Sequence, residues 1–254
     1  MRLIISSRNK CTRGEANRTG KMPVPLWGAF TLIELLVVIA LIGILASLSL
    51  VVISKVREQG RITEAKREIN ALRNAIMEYY ADTGHYPVSD AVVKIANGGD
   101  FTYDRVVNNS EVMAVLMDRE RYMDGSPTIN FGHAKNTKQK FYLSAIPMVD
   151  TTNLPGFGPD LVFRDPWGNP YVISLDLNYD GNCRDGVYAI SKVSKENGAA
   201  GFNGLFNASD SSGSSDNFQY HGGVMIWSKG RDGRVDVTSG ANDPPNKDNV
   251  LSWK

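Results

Sequence analysis

Residues 35–53 read LLVVIALIGILASLSLVVI and contain no charged side chain. This run of about 19 residues matches the roughly 20 that an α-helix needs to cross the hydrocarbon core of a bilayer. Its small residues, Gly43, Ser47 and Ser49, are compatible with helices that approach one another closely in lipid. We therefore predict a membrane-spanning helix. The alternative, a core helix of a soluble protein, would usually keep a polar stripe, and this run has none.

The segment before this run is strongly basic. Residues 1–29 carry a net charge of about +5, whereas the whole chain carries +1, so the remainder is mildly acidic, at about −4. By the positive-inside rule the basic segment stays in the cytoplasm, and everything beyond about residue 54 lies across the membrane. A secretory signal would have a shorter apolar region followed by a cleavage site. Any cut in this chain must instead precede the apolar run.

Residues 28–36, GAFTLIELL, resemble the prepilin-type cleavage and methylation motif of type IV pilins and type II secretion pseudopilins. The resemblance implies that a prepilin peptidase recognises Gly28, Ala29 and Phe30, cuts before Phe30 and methylates the new amino terminus. Residues 1–29 would then be a leader peptide. The family usually has glycine directly before the cut, and here alanine replaces it.

Glu34 is the only acidic residue beside the apolar run. A carboxylate at the edge of a lipid-embedded helix is costly and usually has a partner. The resemblance implies that Glu34 pairs with the free amine of Phe30 on a neighbouring subunit and so sets the register of a filament. The alternative is that Glu34 only reaches the solvated headgroups.

Beyond the membrane segment, residues 30–54, the sequence becomes amphipathic. Apolar residues recur at spacings of three and four, which is the helical period, at Ile62, Ala65, Ile69, Leu72, Ile76 and Tyr79. We predict that the same helix continues through residues 55–84, could kink at Gly60, and ends at Thr83-Gly84. A two-helix coiled coil is the alternative, but the apolar stripe covers only about three heptads.

The middle of the chain, residues 85–160, is polar and rich in Gly and Asn. We predict a variable connecting region with a helix around residues 111–123. Residues 165–171, DPWGNPY, follow it and have good turn chemistry, with Pro and Gly at turn positions. They resemble the hook of the major pseudopilin of type II secretion. A strand over residues 171–175 follows the hook.

Two acidic regions are candidate calcium sites. Asp176, Asn178 and Asp180 match the first half of a calcium loop. The second half does not match, because Val187 stands where a bidentate glutamate would be needed. The only later carboxylate is that of Asp185. The alternative is an Asp-Gly turn in a hairpin between strands at residues 171–175 and 187–191.

The second acidic region lies near the carboxyl end, where the sequence resembles a pseudopilin terminus. The resemblance implies that Asp232, Asp236 and Asp248 bind Ca²⁺, with backbone carbonyls completing a shell of six to eight oxygens. A solvated Asp-Gly turn is the alternative. Residues 207–217, NASDSSGSSDN, are too polar to bury, and we predict a mobile hairpin tip between strands at residues 187–192 and 222–227.

Several classes of function find no support in the sequence. No basic stripe indicates nucleic-acid binding. The three histidines have no metal-ligand spacing, and no phosphate loop or nucleophile elbow occurs, so we expect no enzyme. Of the two cysteines, Cys11 lies in the leader, which leaves Cys183 without a partner for a disulfide in a processed chain.

These observations predict an α+β pilin fold, in which one long amino-terminal helix packs on a small antiparallel sheet in residues 161–254. The resemblance implies a single-pass inner-membrane protein with its body in the periplasm. It would polymerise with copies of itself and with other pseudopilins, through an inner-membrane assembly platform, into a type II secretion pseudopilus that drives protein export. The alternatives are a type IV pilus subunit and a monomeric membrane-anchored binding domain.

Overall fold

The computed structural model describes residues 30–104, 106–143, 149, 151–152 and 154–253. The predicted leader, with Gly28 and Ala29 of the processing motif, lies outside the described residues. The chain divides into two compact units, one up to Val51 and the other from Val52 onward.

The helices are α1 (Leu32–Thr83), α2 (Asp90–Ala96), α3 (Ser110–Leu116) and α4 (Ser191–Ser194). The strands are β1 (Phe101–Tyr103), β2 (Gly156–Phe157), β3 (Phe163–Arg164), β4 (Val172–Leu175), β5 (Asn182–Cys183), β6 (Lys195–Asn197), β7 (Ala200–Gly201), β8 (Phe206–Asn207), β9 (Phe218–His221), β10 (Val224–Ser228) and β11 (Val250–Leu251). The prediction of an α+β fold with a long amino-terminal helix is confirmed.

Within the first unit, α1 is long and apolar enough to cross a membrane. Within the second unit, α1 is amphipathic as predicted, and its buried stripe consists of Ala65, Ile69, Leu72, Ala75, Ile76 and Tyr79. The helix runs through Gly60 without a break and ends at Thr83. Gly84 then adopts a positive φ of 78°, and its N–H donates to the carbonyl of Tyr80 at 2.8 Å, which terminates the helix as a glycine after a helix usually does.

The central sheet has the strand order β1-β4-β10-β11, and all of its pairs are antiparallel. Ile173 at its centre pairs with Tyr103 on one side and with Ile226 on the other. Side chains alternate across the sheet. Ile173 and Ile226 join the core that contains the buried stripe of α1, while Val172 and Trp227 join a second core. The sheet is therefore buried on both faces.

A second sheet with the order β5-β9-β8-β7-β6 contributes to that second core. The predicted strand at residues 187–192 is wrong, because the chain forms a turn there and then α4. The cause is Asp185, whose carboxylate accepts the N–H groups of Val187 and Tyr188 at 2.8 and 2.9 Å. The predicted hairpin between strands at residues 171–175 and 187–191 is wrong for the same reason.

The serine-rich loop was predicted between the wrong strands. Residues 207–217 join β8 to β9, and do not connect strands at residues 187–192 and 222–227. The loop is organised around Asp210, whose carboxylate accepts hydrogen bonds from Ser212, Ser214 and Ser215. These contacts lower the pKa of Asp210.

The middle of the chain contributes directly to the core. β1 forms an edge of the central sheet, and α3 is buried along its length. The helix predicted over residues 111–123 is shorter than expected and ends at Leu116. It stops because Asp118 takes the left-handed conformation, with φ of 50°, which reverses the chain.

Candidate functional site

The amino-terminal end of α1 is closed by a reciprocal pair of side chains. The Oγ1 of Thr31 accepts the N–H of Glu34 at 3.3 Å, and Oε2 of Glu34 accepts the N–H of Thr31 at 2.9 Å. The hydroxyl of Thr31 also donates to that oxygen, at 2.8 Å. This is a capping box, which satisfies N–H groups that a helix end otherwise leaves unpaired. Glu34 thus has a partner within its own chain.

The surface that follows this cap is apolar and exposed. Leu32 is 83% exposed, Phe30 78% and Leu45 64%. Contiguous exposed apolar surface of this kind marks a membrane or protein contact, because each Å² left in water costs roughly 25 cal/mol. Glu34 lies beside Phe30, Ile33 and Val37 at the start of this surface.

The hook at residues 165–171 forms a tight turn around Asp165. The carboxylate Oδ1 of Asp165 accepts the N–H groups of Trp167 and Asn169 at 3.0 and 2.8 Å, and its carbonyl accepts the N–H of Gly168. Gly168 has a φ of 91°, which favours glycine. The turn chemistry predicted for DPWGNPY is therefore present in the structure.

Two side chains of the hook bind the amphipathic part of α1. The hydroxyl of Tyr171, which is fully buried, donates to Oε2 of Glu68 at 2.6 Å. The Nε1 of Trp167 donates to Oε1 of Glu58 at 3.2 Å. Burial raises the pKa of Glu68, and the hydrogen bond from Tyr171 opposes that rise. The hook is thus fastened to α1 at two positions ten residues apart.

The hook also binds the loop after β10. The hydroxyl of Ser228 donates to Oδ2 of Asp165 and accepts the N–H of Gly230 at 3.0 Å. The side-chain amide of Asn169 donates to the carbonyl of Gly230 at 2.9 Å. Asp165 is fully buried, and burial raises its pKa. One carboxylate therefore links the hook to the candidate calcium loop.

The structure brings two of the three carboxyl-terminal calcium candidates together. The N–H of Asp232 donates to Oδ2 of Asp248 at 3.1 Å, and burial together with repulsion from Asp232 raises the pKa of Asp248. Asp236 instead accepts hydrogen bonds from Thr238 and Ser239 in its own turn. The donor set thus fits Ca²⁺ only in part, with two carboxylates in place and the third occupied locally.

The other four candidate calcium ligands, Asp176, Asn178, Asp180 and Asp185, are also brought together only in part. Asp176 accepts the N–H groups of Asp180 and Gly181, and Asn178 also accepts that of Asp180, so these residues share one loop. Asp185 does not take part in the hydrogen bonds of this loop. It is fully buried, and its carboxylate accepts hydrogen bonds from Ser174 and Trp227.

No group of three or more His, Cys, Asp or Glu side chains able to hold a metal ion forms within the part of the chain that the structure describes. Calcium binding stays a prediction that needs backbone carbonyls or a rearranged Asp236 to complete a shell. Cys183 is buried, and burial raises the pKa of its thiol, which makes it a poor nucleophile.

Sequence reasoning missed three of the residues that organise this region. The role of Thr31 as a helix cap could have been predicted, since Thr31-Leu32-Ile33-Glu34 is a capping-box pattern. Glu58 and Glu68 were not, because their partners in the hook lie 109 and 103 residues away in the sequence. No local pattern distinguishes them from the other charged residues on the outer face of α1.

The relatives of the chain fall into two groups. It is 40% identical over 67 residues to the fimbrial protein EcpC of Eikenella corrodens, which covers 26% of this chain and 44% of that protein. It is 30% identical over 93 residues to a type IV major pilin protein PilE1 of Neisseria gonorrhoeae, which covers 35% and 56%. It is 27% identical over 142 residues to the type II secretion system core protein G of Pseudomonas aeruginosa, which covers 56% and 69%.

No family profile and no solved structure matches the chain. The alignments to the pilus proteins named above span about half of each relative's length. The long apolar amino-terminal helix and the α+β fold with antiparallel sheets agree with what both groups of relatives indicate. The chain is thus similar to type IV pilins and to type II secretion core protein G, and its long apolar amino-terminal helix fits a pilin-like protein.

Proposed function

We propose that the chain is a structural subunit of a type II secretion pseudopilus, which polymerises through the apolar part of α1 and drives protein export. The observation that carries the proposal is the exposed, uncharged surface of α1 between Leu35 and Ser47, preceded by a single carboxylate at Glu34. Such a surface is stable only in lipid or against other helices of the same kind. A monomeric anchor would need the lipid contact but not the carboxylate.

Two observations support the pseudopilus over a pilus. The alignment to core protein G extends over 142 residues, whereas the alignments to EcpC and to two PilE1 proteins extend over 67, 93 and 120. The hook, with its buried links to α1 and to the loop after β10, is also a pseudopilin feature by resemblance. The second candidate, a type IV pilus subunit, is favoured by the higher identity of 40% to EcpC.

Glu34 provides the register of the polymer in this proposal. Within the described part of the chain, the hydrogen bonds that its carboxylate accepts all end on Oε2, in the capping box with Thr31. Oε1 therefore remains for a cation. The free amine of Phe30 on the next subunit is such a cation after processing, and a charge-assisted hydrogen bond in lipid is stronger than one in water. One glutamate can then close its own helix and hold a neighbour.

Processing and location follow from the same proposal. A prepilin peptidase would remove residues 1–29 and methylate Phe30, and an inner-membrane platform would then assemble the subunits. The body would lie in the periplasm, because the basic leader stays in the cytoplasm. The role is mechanical and not catalytic.

Calcium has a stabilising role in this proposal. Asp232 and Asp248 would hold Ca²⁺ together with backbone carbonyls, and Asp236 would join if it left the hydrogen bonds of its own turn. The ion would neutralise two carboxylates that lie close together next to the hook.

Glu34→Ala tests the proposal in cells that produce the export apparatus. We expect the variant to reach the membrane in normal amount but to form no filaments. Glu34→Gln keeps the capping box and removes the charge, so it separates the two roles of the side chain. Glu64→Ala, an exposed acid farther along the same helix, is the control and should assemble normally. Normal filaments from Glu34→Ala and Glu34→Gln would refute the proposed pairing.

A further inference from the structure

A short stretch of α1 directly after the apolar run combines exposed cations with exposed apolar side chains. Lys55, Arg57 and Arg61 are exposed, and we call these three residues the basic collar. Val52 and Ile53 directly precede the collar, and Val56 lies between Lys55 and Arg57; these three side chains are 59%, 46% and 64% exposed. Long cationic side chains next to apolar ones are typical of a helix segment at the surface of a bilayer.

The basic collar has no carboxylate partner within the described residues. None of its side chains lies within 4.0 Å of an acidic group. The only acid between Val52 and Arg61 is Glu58, which stands three residues from both Lys55 and Arg61, at a spacing that allows pairing on a helix. Trp167 of the hook binds Oε1 of Glu58 instead, at 3.2 Å. The three cations thus form no ion pair among the described residues, and Glu58 directs one of its oxygens to the hook.

The position of the collar matches the depth of lipid phosphates. Lys55 follows Ile53, the last residue of the apolar run, by two residues, and Arg61 follows it by eight. At about 1.5 Å per residue, these cations lie roughly 3 to 12 Å beyond the run along the helix axis. The headgroup layer on each side of a bilayer is roughly 5 to 7 Å thick, and charges act over a Debye length of about 8 Å beyond it.

We propose that the basic collar binds the phosphates of acidic phospholipid headgroups at the exported face of the membrane. The inference rests on the proposed membrane placement of α1, but not on polymerisation. Arg57 and Arg61 can each hold a phosphate through two parallel hydrogen bonds, and Lys55 provides a point charge. The collar would keep an unassembled subunit at a fixed depth and make its withdrawal from the bilayer depend on lipid charge.

Site-specific photo-crosslinking at Val56 tests the inference. The full chain, with p-benzoylphenylalanine replacing Val56, is placed in vesicles of equal parts phosphatidylglycerol and phosphatidylcholine, and lipid adducts are quantified by mass spectrometry. One Lys or Arg near an acidic membrane surface strengthens binding to that surface by about fivefold. We expect phosphatidylglycerol adducts to exceed phosphatidylcholine adducts by at least about fivefold. The leader does not interfere, because the whole apolar run separates it from residue 56.

The triple variant Lys55→Gln, Arg57→Gln, Arg61→Gln should give nearly equal adducts of the two lipids. The matched control Lys66→Gln, Arg67→Gln, Arg73→Gln removes the same charge from the same helix, roughly 20 to 30 Å beyond Ile53, and should keep the preference. The inference would be overturned if the chain with its collar unaltered gave equal adducts of the two lipids, or if the control variant lost the lipid preference as the collar variant does. Crosslinks to protein in place of lipid would overturn it as well. An absence of all lipid adducts would instead refute the membrane placement on which the proposed function also depends.

Discussion

Replacing Tyr171 with Phe should destabilise the body by removing one atom. The hydroxyl of Tyr171 donates to Oε2 of Glu68 at 2.6 Å, and Tyr171 is fully buried. A hydrogen bond to a charged group contributes about 1.5–3 kcal/mol, so we expect a loss of about 2 kcal/mol in the free energy of unfolding. For a body of this size that corresponds to a fall in Tm of about 4–8 °C.

The effect should depend on pH in a defined direction. Burial raises the pKa of Glu68 above its usual value of 4.5, so the folded state holds this proton more tightly than the unfolded state does. Glu68 therefore costs stability as the pH rises through 4.5 toward its folded pKa, and the bond from Tyr171 limits that cost. Tyr171→Phe should accordingly destabilise the protein more at pH 7 than at pH 4.

Thermal unfolding of the full chain in detergent, followed by circular dichroism at both pH values, measures this. Tyr122→Phe is the matched control, because the hydroxyl of Tyr122 has no hydrogen-bond partner within the described residues, and its change should stay within about 0.5 kcal/mol. A loss for Tyr171→Phe no larger than that of the control, or a larger loss at pH 4, would refute the assignment of Glu68 as an ionised partner of the hook.

Two further outcomes test the hook and the calcium loop. Asp165→Asn should lower the free energy of unfolding by about 2–4 kcal/mol, because the buried carboxylate accepts hydrogen bonds from Trp167, Asn169 and Ser228. The control Asp124→Asn, on an exposed turn, should lower Tm less. Equal shifts in Tm for the two variants would count against the hook as a structural link. Calcium at 100 times its Kd should raise stability by about 2.7 kcal/mol, an effect that Asp248→Asn should remove and Asp176→Asn should not. A melting curve unchanged by calcium and by chelator would refute calcium binding. Loss of the stabilisation in Asp176→Asn alone would indicate that calcium binds in the loop of Asp176 and not beside Asp248.

The elements that the sequence predicted well are those whose signal is local. The helical period from Ile62 to Tyr79 is long enough to specify α1, and Gly84 specifies its end. The hook was predictable because Pro and Gly restrict the backbone at fixed turn positions, whatever packs around them.

The elements that were missed depend on distant contacts. Val187 and Ile190 favour a strand by propensity, but the carboxylate of Asp185 draws the backbone into a turn. β1 has only three residues, which is too short for a period of two to be recognised. The links from Glu58 and Glu68 to the hook join residues more than 100 positions apart, so only the fold reveals them.

In the proposed function, many copies of this chain assemble side by side through the apolar part of α1. The most direct measurement is disulfide crosslinking in membranes of cells that produce the export apparatus, with two exposed cysteines in one chain, Ile33→Cys together with Ile44→Cys, so that each subunit can bond to two neighbours. Cys183 is buried and Cys11 belongs to the predicted leader, so neither should contribute in the processed chain. We expect a ladder of dimers, trimers and longer oligomers, which disappears in Glu34→Ala. Monomers alone, or a ladder that persists without Glu34, would contradict it.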